Sequence, residues 1–132
     1  MLRYAVVCSL AFALLGVVCG PASAFPQFKK PYAELYAPDK GSDYGALVKK
    51  ANCYLCHQGK KKSNKNAYGN KLDPLLGKED KKNVEKIMDA LKQVAEMPSV
   101  DGDDSSPTFG ALIAEGKLPG GTIEECKEEP AE

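Results

Sequence analysis

Residues 42–57 read Ser42-Asp43-Tyr44-Gly45-Ala46-Leu47-Val48-Lys49-Lys50-Ala51-Asn52-Cys53-Tyr54-Leu55-Cys56-His57. Ser42 carries the short polar side chain of a helix N-cap. Tyr44, Leu47, Val48, Ala51 and Leu55 then recur every three to four residues, the period of a helix with one apolar face. The spacing predicts a helix that leads into the cysteines and leaves Cys53, Cys56 and His57 at its C-terminal end. Two thiols three residues apart lie about one turn apart on one side, and the chain's only histidine follows the second.

Upstream, Phe25, Phe28, Tyr32 and Tyr36 alternate with Pro26, Pro31 and Pro38, which predicts an extended arm over residues 25–41. Before it, Arg3, an apolar run over 5–18 and the small-x-small triplet Ala22-Ser23-Ala24 predict a secretory signal peptide, residues 1–24, cleaved after Ala24. The run is shorter than the roughly 20 apolar residues of a membrane helix, so no transmembrane segment is expected. Cys19 raises a lipoprotein alternative, but Val18 stands where a small residue normally precedes the lipidated cysteine.

Downstream, the run from Gly59 to Lys65 predicts a solvated basic loop. Tyr68, Leu72, Leu75 and Leu76 predict a short helix limited by Pro74. Val84, Ile87, Met88, Leu91, Val94 and Ala95 predict a longer one that Pro98 stops. After an acidic loop, Ser106-Pro107 resembles an N-cap followed by proline in the first turn, with Phe109, Leu112 and Ile113 as the stripe and Gly116 as the stop. No run alternates with period two. The expected fold class is all-α, about four short helices in one domain over 42–118, with an acidic tail over 119–132.

The 18 basic residues balance 18 acidic ones, which argues against a nucleic-acid binder held by bulk charge. The balance hides an asymmetry: residues 25–92 carry net +7 and residues 93–132 net −8. Beyond the signal only Cys53, Cys56 and Cys126 remain, an odd number for an oxidising compartment.

Cys-x-x-Cys-His is the arrangement of covalent c-type haem attachment. Two thiols on one side of a helical turn can reach two vinyl groups of one porphyrin edge, and the adjacent imidazole is then held against the iron. Three other readings compete: a zinc site, for which only His57 and Cys126 could join the pair; a thioredoxin-like redox pair, which wants a βαβ setting; and a plain Cys53–Cys56 disulfide.

With the motif, the helix before it and the Asp73-Pro74-Leu75-Leu76-Gly77 stretch after it, the sequence resembles the small exported single-haem c-type cytochromes of class I, loosely over 42–118. The resemblance implies a fold of helices around one covalent haem, with Cys53 and Cys56 as attachment points and His57 as proximal iron ligand. It implies electron transfer, not enzymatic turnover, in the periplasm or another exported location. It also implies a proline carbonyl that accepts a hydrogen bond from the imidazole, a place Pro74 resembles, and a later sixth ligand. Met97, opening the loop before the last helix, is the first candidate, Met88 on a helix stripe the second, and Lys, water or an open site the rest. An open site would make the chain a small-ligand sensor or a catalytic subunit.

Asp101, Asp103 and Asp104 fail the calcium-loop pattern, because Ser106 stands at the turn-glycine position and Leu112 at the glutamate position. Lys60, Lys61 and Lys62 are candidate docking charges for a redox partner. Cys126 reads as an exposed free thiol or a dimer bridge in an otherwise monomeric protein.

Overall fold

The computed structural model describes residues 26–130, so the expected signal peptide and cleavage site lie outside the described residues. The chain there is mostly helical. The α-helices are α1 (Lys29–Tyr36), α2 (Asp43–Ala51), α3 (Ala67–Leu72), α4 (Val84–Ala95), α5 (Phe109–Ala114) and α6 (Ile123–Lys127). Single 3₁₀ turns stand at Pro26–Phe28, Asn52–Leu55 and Lys78–Lys82. Two short strands, β1 (His57–Gln58) and β2 (Asn64–Lys65), pair antiparallel, with His57 opposite Lys65. The all-α expectation needs this correction. Two residues per strand are too few to show an alternation in sequence.

Ser42 caps α2 by accepting from the Gly45 N–H at 3.0 Å, and α4 follows the expected stripe, with Ile87, Ala90, Leu91, Val94 and Ala95 buried. The cap of α5 is Thr108, not Ser106, and accepts from the Ala111 N–H at 3.1 Å.

The extended arm is a second correction. Residues 29–36 form a helix, and Tyr32 is buried in the core. Pro31 sits in the first turn, where the N–H has no helical partner to lose, and Pro38 comes after the end. Phe28, Tyr32 and Tyr36, four residues apart, share one face against the core. The Tyr36 hydroxyl donates to the Leu91 carbonyl at 3.1 Å, fixing α1 to α4. Tyr32, Tyr68 and Phe109 stack edge to face through the centre, with centroids 6.0 and 5.2 Å apart.

The acidic tail is the third correction. Thr122 and Glu125 form a capping box, and the helix it opens buries Ile123 and Cys126. Cys126 is 1% exposed, so it is neither an exposed thiol nor placed to bridge two chains while α6 is docked. Among the described residues no helix is long and apolar enough to cross a membrane.

Candidate functional site

Helix α2 ends at Ala51 because Asn52 takes a positive φ of 53°, which asparagine tolerates better than most residues. The chain then tightens into the Asn52–Leu55 3₁₀ turn, closed by the Cys56 N–H on the Cys53 carbonyl at 3.2 Å. In a 3₁₀ turn residues three apart eclipse, so the tightening brings Cys53 and Cys56 to the same side. Both line a cavity of about 550 Å³, and so does His57. That volume is in the range of cofactor and small-molecule sites.

The walls of the cavity are apolar, from Phe28, Tyr32, Leu55, Leu72, Leu76 and Leu91. Its polar lining includes Lys29, Lys65, Lys78 and Asp73. Lys65 pairs with Asp73 at 2.8 Å, and Lys29 donates to the neutral Asn52 Oδ1 at 2.7 Å. The formal charge of the lining side chains is therefore about two positive beyond the neutralised pair. The Pro26–Phe28 and Lys78–Lys82 turns pack on each other at one side of the cavity.

His57 Nδ1 lies 3.3 Å from the Asn64 carbonyl across the hairpin. With the proton on Nδ1 the lone pair is on Nε2, the nitrogen a metal takes. Burial holds the imidazole below its ordinary value; its hydrogen bonds to the Asn64 and Lys62 backbones oppose this, and the nearby Lys65 charge lowers it further. That shift favours the neutral ring, the form in which an imidazole binds a metal.

Burial pushes the Cys56 thiol up to about 12, helped by Cys53 and Cys126. A thiol-disulfide catalyst needs the opposite shift, toward thiolate, so the thioredoxin-like alternative has no support here. Cys53 and Cys56 are free thiols. Among the described residues no three His, Cys, Asp or Glu side chains are grouped to hold a metal, which leaves the zinc alternative without its ligand set.

The other expected residues are elsewhere. The carbonyl on Nδ1 is that of Asn64, not Pro74, which is exposed in the turn after α3. Neither methionine lines the cavity: Met97 packs half-buried against the hydrophobic core, and Met88 is half-buried on α4. Lys60 and Lys61 are exposed, and the Lys62 ammonium lies 5.2 Å from the centre of the Tyr54 ring.

Sequence reasoning missed Asn66 and Gly69. Asn66 is 2% exposed and ties the motif down: its backbone N–H donates to the Cys56 carbonyl at 3.1 Å and its side chain to the Tyr54 carbonyl at 3.0 Å. It also caps α3 by accepting from the Gly69 N–H at 3.0 Å. A Cβ on Gly69 would fall on the Cys56 carbonyl, so only glycine lets α3 approach the motif this closely. The Asn66 cap before an apolar stripe was a legible signal. The chain matches no protein-family model, no curated protein and no solved structure.

Proposed function

We propose that this chain carries one haem c on Cys53 and Cys56, with His57 as proximal iron ligand, and passes single electrons in an exported compartment. The observation that carries the reading is the convergence of both thiols and the only imidazole on one apolar cavity. When bound there, haem would supply an iron centre that cycles between ferric and ferrous.

The chain's own residues fit that group. Cys53 and Cys56 are both free cysteines on the cavity wall, and addition of S–H across a vinyl group needs no net oxidation. Asn64 orients His57 through Nδ1, and such a bond makes an imidazole a stronger donor to iron. The leucines and Tyr32 exclude water from an apolar macrocycle. The surplus of two positive charges in the lining matches two porphyrin carboxylates.

A second reading, a haem-based small-ligand sensor or catalytic subunit with an open sixth position, is favoured by one observation: neither Met97 nor Met88 lines the cavity. Spectra of the oxidised and reduced protein, with and without carbon monoxide, decide between the two. A carrier with both axial positions filled leaves carbon monoxide unbound, and an open site binds it rapidly. A colourless exported protein overturns both.

For an electron carrier the partner would be an acidic redox protein meeting the chain through Lys60, Lys61 and Lys62, beside the motif. Such encounters are brief and bury less than about 1,200 Å².

A further inference from the structure

We infer that the C-terminal segment, α6 with Glu129, is a positioning clasp for His57: it holds the hairpin so that the Asn64 carbonyl stays on Nδ1. The consequence for iron rests on the haem reading above, whereas the geometry does not.

A hairpin of two paired residues per strand is marginal by itself. This one also turns through Gly59 and Lys62 at positive φ, a conformation that costs a lysine free energy. It therefore needs outside support, and the C-terminal segment touches it at both ends. The Gly59 N–H donates to the Cys126 carbonyl at 2.9 Å. The Glu129 carboxylate takes the Lys60 N–H on Oε1 at 3.1 Å and the Asn64 side-chain amide on Oε2 at 3.3 Å. Just beyond, the Asn66 amide reaches Cys126 Sγ at 3.5 Å, and the Cys126 thiol donates to the Gly120 carbonyl at 3.3 Å.

One carboxylate thus joins the first residues of the turn to the residue whose carbonyl faces the ring. Glu129 is absent from the cavity lining and reaches the ring only through the hairpin it holds at Lys60 and Asn64. Its two oxygens each take one donor, so a carboxylate suits the place better than an amide, which would set an NH₂ against one of those donors. A weakened contact at Nδ1 makes the imidazole a poorer donor to iron, which favours the ferrous form and raises the midpoint potential.

The test compares the exported full chain with Glu129→Ala and Glu129→Gln. Amide hydrogen exchange at Gly59 and Lys60 should accelerate about tenfold in Glu129→Ala and less in Glu129→Gln, while amides in α4 keep their protection. The midpoint potential should rise in the same order. Unchanged exchange at Lys60 overturns the clasp. Faster exchange with an unmoved potential also overturns it, because Glu129 would then brace the hairpin without acting on His57. If the purified chain has no haem, the proposed function falls separately, and nitrogen NMR of the His57 ring at alkaline pH decides the clasp. Drift from the Nδ1–H toward the Nε2–H form in Glu129→Ala supports it, and a ring that stays Nδ1–H overturns it.

Discussion

Around His57 the chain is hydrogen-bonded to distant parts of itself, whereas Met97 is hydrogen-bonded only within residues 94–109. The His57 hairpin is held by Asn66 from the start of α3 and by Cys126 and Glu129 from the C-terminus. Met97 donates its N–H to the Val94 carbonyl and accepts from the Phe109 N–H, both at 3.0 Å, so it serves as the joint between α4 and α5. The loop beyond it is bonded mostly within itself, with Ser99 on the Pro107 carbonyl at 3.0 Å and Ser105 on Asp103, and reaches α3 through the Lys71–Asp101 ion pair rather than the cavity. A ligand is aimed by contacts that reach the site: those of the first region end on the cavity wall at His57, and those of the second do not.

The largest effect expected from this contrast is spectroscopic. His57→Ala should abolish the low-spin haem spectrum of the exported protein. Met97→Ala should keep that spectrum and cost about 1–2 kcal/mol of stability, at or below the low end of the range for truncating a fully buried methionine, since the side chain is only half-buried. Loss of a sulfur-to-iron charge-transfer band in Met97→Ala would return that residue to the iron and break the comparison.

Packing sharpens it next. Gly69→Ala presses a methyl group onto the Cys56 carbonyl and should cost about 1–3 kcal/mol in chemical denaturation, with reduced haem attachment. Gly102→Ala, in the loop after Met97, meets nothing within contact distance. It carries only the penalty of a φ of 77°, about 1 kcal/mol, with attachment unaffected. Equal losses in the two variants would mean that the motif is no more tightly seated than the loop.

What could be read in the sequence follows the same division. The cap at Ser42, the stripe of α4 and the three motif residues are local patterns, and the structure places the motif residues on one cavity. The α1 helix was hidden because prolines are counted as breakers wherever they stand, although Pro31 falls in a first turn that tolerates it. The α6 helix was hidden under its charge, although Thr122 and Glu125 spell a capping box. Pro74 and Met97 rested on the resemblance alone, and neither lines the cavity. Asn64 could not have been found, since its contribution is a backbone carbonyl and depends only on hairpin register.

A smaller effect separates the protein with and without its attached group at alkaline pH. The folded Cys56 value lies above its ordinary 9.0, at about 12, and burial also raises Tyr32, Tyr36, Tyr44 and Tyr68. The unfolded chain therefore loses protons first. The stability these groups contribute is complete below their unfolded values and is lost as pH rises through the folded ones. A thioether has no proton to lose, so denaturation midpoints of the haem-bearing protein should fall less steeply above about pH 9 than those of Cys56 in its thiol form. Parallel slopes would show that Cys56 is not modified.

The smallest effect is on docking. Lys60, Lys61 and Lys62 replaced together by Glu should slow association with an acidic redox partner at low salt. The midpoint potential should hold, because exposed charges are screened within about 8 Å at physiological ionic strength. An unchanged low-salt rate would remove the lysines from the encounter.

The central claim is that Cys53 and Cys56 both become thioethers to one haem, and the intact mass of the denatured, exported protein tests it most directly. The expected result is one haem added to the unmodified chain, retained through acid-acetone extraction, and none when Cys53→Ala and Cys56→Ala are combined. A mass equal to that of the polypeptide alone, after secretion from a host that attaches haem to its own exported proteins, would contradict the account.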